Sequence, residues 1–99
     1  MSETSVRRCL NLFRAIDEKG GFAKKWDLIK VAGNEVAFKR WVEDFLIHHN
    51  FVAKVEDSGK AGYVKTERGK TFQSLLEDYG YVMAFRQISG KKLRSLMDL

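Results

Sequence analysis

The apolar positions of the chain change their period partway along. Val6, Cys9, Leu10, Phe13 and Ile16 recur at helical spacing and predict a first helix over residues 5–19, which Gly20 and Gly21 stop. A shorter helical segment over residues 23–31 puts Trp26 and Ile29 on one side, with Lys24, Lys25 and Lys30 around them. Gly33 and Asn34 supply a turn and an N-cap, and Glu35 is well placed in the first turn of the next helix. That helix, over residues 35–49, has the clearest periodicity: Phe38, Trp41, Val42, Phe45 and Leu46 form one broad stripe. Asn50 suits a left-handed C-cap, and beyond it the pattern alternates. Phe51, Ala53 and Val55 fall on one face and Val52 and Lys54 on the other, as in a half-buried hairpin, with Tyr63, Val64 and Lys65 as its second strand. Residues 56–62 form the polar turn, in which Gly59 and Gly62 can take positive φ. Thr66 caps a fourth helix with Phe72, Leu75, Leu76 and Tyr79 as its apolar side. Residues 81–99 are helical in pattern, with Val82, Phe85, Leu93 and Leu96 along a stripe that Ser89 interrupts and Gly90 weakens.

The order helix, strand, basic turn, strand, helix, preceded by two further helices, is that of a winged helix-turn-helix. The expected class is α+β, mainly α, with three helices, a hairpin wing and further C-terminal helices. Proline, internal repeats and linkers are absent, so one domain over 1–99 is expected, with residues 5–79 as its core. The segment 81–99 then has two uses, packing back on its own domain or pairing two copies through Val82, Phe85, Leu93 and Leu96.

Composition adds a direction. The 99 residues are 44% hydrophobic, enough for a core, and carry a formal charge of +5, which favours a polyanionic partner. A single cysteine excludes an internal disulfide framework. Cys9 has two readings: a small buried hydrophobe, or a bridge between two copies. No apolar run reaches membrane-spanning length and residues 1–5 are polar, so a cytoplasmic protein is expected. His48 and His49 are adjacent, hence about 100° apart on a helix, and suit a helix end better than a metal. No phosphate loop, catalytic triad or paired carboxylates appear, so neither enzyme, metal site nor cofactor is expected.

A recognition helix must anchor its apolar side and present polar side chains to a major groove about 12 Å wide. Residues 35–49 fit, with Glu35, Val36, Lys39 and Arg40 on the reading side of the N-terminal half. Arg40 suits a guanine edge or a phosphate, and Lys39 a phosphate. Glu43 and Asp44 would repel phosphates, so insertion should be shallow. Lys54, Ser58, Lys60 and Lys65 are the candidate contacts on the wing, with Lys24 and Lys25 touching the backbone from the second helical segment. Hairpin lysines also serve simply to protect an edge strand. Glu35, Glu43 and Asp44, beside exposed Val36 and Ile47, keep a rival reading open, a winged helix used for protein contact without DNA reading.

Residues Tyr63, Val64, Lys65, Thr66, Glu67, Arg68, Gly69 and Lys70 resemble the second wing strand and following helix of archaeal winged-helix proteins, whose pattern is aromatic, aliphatic, Thr, a charged pair and Gly. The likeness spans roughly residues 6–79. It is to the small dimeric winged-helix proteins of crenarchaea and their viruses, a group similar in turn to MarR-type regulators. It implies sequence-specific binding of double-stranded DNA, transcriptional regulation and a homodimer held by a C-terminal helix. Lys65 departs from the aliphatic residue usual before Thr, and Gly90 interrupts the long helix of some relatives.

Overall fold

The computed structural model describes residues 3–83, with side chains through Asp78. Helix α1, Glu3–Glu18, buries Val6, Cys9, Leu10, Leu12, Phe13, Ala15 and Ile16. It ends in a Schellman motif: Gly20 N donates to Asp17 O at 3.0 Å and Gly21 N to Ile16 O at 2.9 Å. Both glycines have positive φ, which is why residues without a Cβ stand there. Helix α2, Lys25–Ala32, begins two residues later than the pattern predicts, because Ala23 is extended and exchanges both backbone hydrogen bonds with Tyr63, at 3.0 and 2.7 Å. This one-residue bridge ties the entry to α2 directly to the wing.

Asn34 caps α3, Glu35–Phe38, by accepting from Ala37 N at 2.8 Å. The segment continues as a π-helix, Lys39–Ile47, where a regular α-helix is expected. Phe38, Val42 and Leu46, each 1% exposed or less, recur every fourth residue along its buried side. Ile47, expected on the outer face, instead packs partly buried against the core. A second Schellman motif ends the helix: Asn50, at φ 63°, donates to Ile47 O at 2.9 Å and Phe51 N to Leu46 O at 2.8 Å.

Strands β1, Val52–Asp57, and β2, Lys60–Lys65, pair antiparallel from Val52 opposite Lys65 to Asp57 opposite Lys60. The seven-residue turn expected from the sequence is therefore shorter. Ser58 and Gly59 alone turn the chain, both at positive φ as a type I′ turn requires. The core face is also the opposite of the expected one. Val52 and Tyr63, each 2% exposed, face the helices, while Ala53 and Val55 are half-buried on the other side. Phe22 covers that side, lying so closely over Gly62 that a Cβ there would come within 2.2 Å of its ring.

Helix α4, Glu67–Met83, starts as expected from Thr66, whose Oγ1 accepts from Gly69 N at 2.9 Å and donates to Asn50 O at 2.6 Å. It runs unbroken through Gly80, where the sequence pattern separates two helices. Val82 lies on its last turn; Phe85, Leu93 and Leu96, the other expected dimer residues, lie outside the described residues. The core joins all four helices and the wing: Phe13 meets Phe72 edge-on at 6.2 Å, Phe38 meets Tyr63 at 5.6 Å, and Phe51 stacks on Phe72 at 4.0 Å. Cys9 is fully buried within it, and burial pushes its thiol up to about 12. The reading of Cys9 as a bridge between copies is thereby corrected, since neither the sulfur nor its thiolate is accessible.

Candidate nucleic-acid interface

Contacts link three elements: Lys25 at the start of α2 lies over Phe38 of α3, Phe38 meets Tyr63 of the hairpin, and Ala23 bridges to Tyr63. The Asn34 cap orients the first turn of α3. With that turn held and Phe38 driven into the core, Val36 is forced outward and is 79% exposed. Glu35, Lys39 and Arg40 are exposed beside it, so the four residues expected to form the reading surface do share the outside of one short helical stretch.

Their charges are not equivalent. Lys39 Nζ lies 3.3 Å from Asp44 Oδ1, both well exposed. Residues five apart stand about 140° apart on an α-helix and do not meet. On the looser π-helix they do, so the winding itself brings an acid to Lys39. Arg40 has no such partner among the described residues. It borders an open depression together with Arg8 of α1, Asn34, Val36 and Trp41. Arg8 is not legible as a site residue in the sequence, because it lies 26 positions before Asn34 and only the packing of α1 against the turn brings it there.

On α2, Lys24 and Lys25 are exposed as expected, and Lys24 N donates to Asp27 Oδ2 at 3.1 Å, closing the helix start. The Lys25 ammonium sits 5.6 Å over the Phe38 ring, between α2 and α3. Trp26, which the pattern groups with Ile29, is 62% exposed with Lys30 over its ring at 5.7 Å, whereas Ile29 is buried.

The wing divides into a tip and a root. Lys54 and Lys60 are exposed and have no ion pair among the described residues. Ser58, at the tip, donates from Oγ to Asp57 Oδ1 at 3.4 Å. Lys65 is different, and its assignment as a DNA contact is corrected. Its side chain is only 13% exposed; its Nζ lies 2.6 Å from Asp17 Oδ1 and donates to Gln73 Oε1 at 2.6 Å. Gln73 in turn donates to Asp17 Oδ2 at 3.3 Å and Glu77 Oε1 at 3.2 Å. Burial raises the Asp17 carboxyl, but the hydrogen bonds from Lys65 and Gln73 and the charges of Lys65 and Lys70 outweigh it, leaving the group below the usual carboxylate range. The cation spans α1, β2 and α4 and holds the wing to the body.

The histidines belong to the helix end. His49 O accepts from Arg68 Nε at 3.0 Å, and its ring stacks against Phe51 at 5.9 Å. Arg68 also lies 5.0 Å over Phe51, so it too serves the junction. Among the described residues no three His, Cys, Asp or Glu side chains converge to hold a metal, and no helix is long and apolar enough to cross a membrane.

No protein-family model matches the chain, nor does any curated protein. Among solved structures it is similar to the crystal structure of SSV1 F-93, with 24% identity and a TM-score of 0.54, over 83% of this chain and 91% of that one. The likeness is one of fold, and it agrees with an α+β winged-helix architecture of four helices and a two-stranded hairpin.

Proposed function

We propose that this winged helix binds double-stranded DNA and acts as a homodimeric, sequence-specific transcription regulator in the cytoplasm. The observation that carries the reading is the outward face of α3: Val36 and Arg40 stand exposed at a helix start held by Asn34, and the lysines of the α2 start and of the wing tip are exposed as well. The arrangement inserts the first turns of α3 into a major groove, while Lys24, Lys25, Lys54, Lys60 and Ser58 grip the backbone. Lys39 contributes less, because Asp44 neutralises it locally. Glu43 and Asp44 keep the remainder of the helix out of the groove. Two copies would read half-sites about one helical turn apart, with the pairing assigned to the segment beyond residue 80. No catalytic step, metal or cofactor belongs to this reading.

Trp26 and Val36, exposed beside Glu35, favour a second reading, a surface for another protein. Titration of a labelled duplex at stepped salt separates the two. A DNA binder shows a linear fall of log affinity with log salt, and Arg40→Ala combined with Lys60→Ala weakens it. Equal affinity of wild type and the double variant at low salt overturns the DNA assignment.

A further inference from the structure

We propose that Arg8 and Arg40 together clasp a single backbone phosphate of the bound duplex, in the depression between α1 and the start of α3. The inference rests on the DNA-binding reading and extends the contact surface to α1, which the wing and recognition helix alone do not include. The two arginines come from different elements to one hollow, with Asn34, Val36 and Trp41 among its walls and no carboxylate lining it among the described residues. Both charges are uncompensated, as are those of Lys54 and Lys60 on the wing, whereas Arg7, Lys19, Lys39, Lys65 and Lys70 each have an acid within 4.0 Å. Neither Arg8 nor Arg40 has one among the described residues.

Two unpaired guanidinium groups around one hollow repel each other, and an anion between them removes the repulsion. The planar guanidinium fork matches the oxygens of a phosphate in a bidentate way. Asn34 adds to this chemistry. Its side-chain oxygen is already given to Ala37 N, so what it has left to offer is its amide N–H donors. The depression shares Val36 and Arg40 with the reading face. A strand whose groove receives Val36 therefore passes over the hollow, which favours a phosphodiester over a free anion.

The test measures duplex affinity against salt for the full chain and for Arg8→Ala, Arg40→Ala, their combination and Lys60→Ala. Each single arginine variant is expected to weaken binding while lowering the log-log slope by less than about 0.9, and the combination to lower it by about 0.9, because one phosphate is shared. The loss should be uniform across duplex sequences, as a backbone contact requires. Thermal midpoints should stay together, since Arg8 and Arg40 are both exposed. If Arg8→Ala keeps wild-type affinity and slope while Lys60→Ala does not, the clasp is wrong and the DNA reading stands. A combined loss of about 1.8 means two separate phosphates and also overturns it. If wild type shows no salt-dependent duplex binding, the DNA reading itself fails. A parallel titration with inorganic phosphate, followed by the guanidinium resonances of the two arginines, identifies the anion's source. Saturation of those resonances by phosphate, with no effect of Arg8→Ala on the duplex slope, assigns the hollow to a free anion and overturns the proposal.

Discussion

Lys60 and Lys65 stand at opposite ends of one strand and do opposite things. Lys60 adjoins the Ser58-Gly59 turn, exposed and without an ion pair among the described residues. Lys65 is folded inward onto Asp17 and Gln73. The same residue type thus serves outward grip at the tip and internal attachment at the root. The difference lies in what each meets. The tip projects beyond the packed helices, whereas the root passes between α1 and α4, where an ammonium must be paired to be tolerated. Charge counted along a sequence overstates the charge available to a partner by whatever the fold consumes internally.

The contrast predicts that root substitutions cost stability and tip substitutions cost binding. Gly69→Ala should be the most damaging. Within helices this change usually gains about 1 kcal/mol. Here the new Cβ would come within 1.8 Å of the Phe51 carbonyl oxygen. A net loss of about 2–3 kcal/mol is expected by chemical denaturation, as for other overpacked sites. Lys65→Met comes next, at about 1–2 kcal/mol, because it removes the cation paired with Asp17 Oδ1 and the donor to Gln73 Oε1; the side-chain exposure of Asp17, 45%, keeps the figure below that of a fully buried pair.

Asp17 also sets a pH dependence. Its carboxyl is lower in the folded chain than in the unfolded one, so it stabilises the fold fully above the unfolded value of about 3.9. That contribution is lost as pH falls from there through the folded value. Acid titration of the unfolding midpoint should show the loss in wild type and a shallower profile in Asp17→Asn. The smallest change in stability, within about 0.5 kcal/mol, is expected for Asp44→Asn, since the pair with Lys39 is exposed. Its effect should appear instead as several-fold tighter duplex binding at low salt, through the release of Lys39.

Much of the fold is legible in the sequence because it is written locally. The α1 stripe and the glycines that stop it, the Asn34 and Thr66 caps and the left-handed Asn50 each depend on residues within one turn of themselves. The misreadings all involve distant or degenerate information. Residues 56–62 offer two glycines and five other residues, compatible with more than one turn register, and the choice of Ser58-Gly59 is made by pairing with β1. Nothing near Lys65 announces Asp17, 48 positions earlier. The Ala23 bridge to Tyr63 is equally remote, and so is the meeting of Arg8 with Arg40. The π winding is also unannounced, because helical periodicity alone does not distinguish it from an ordinary stripe.

The division of labour along β2 is tested most directly by comparing its two ends in one experiment: duplex affinity as a function of salt for wild type, Lys60→Ala and Lys65→Met. Wild type should show a steep linear dependence, Lys60→Ala a slope reduced by about 0.9, and Lys65→Met an unchanged slope at temperatures where that variant is folded. A flat dependence in wild type, or equal loss of slope in the two variants, would contradict the division of β2 into a gripping tip and an anchoring root.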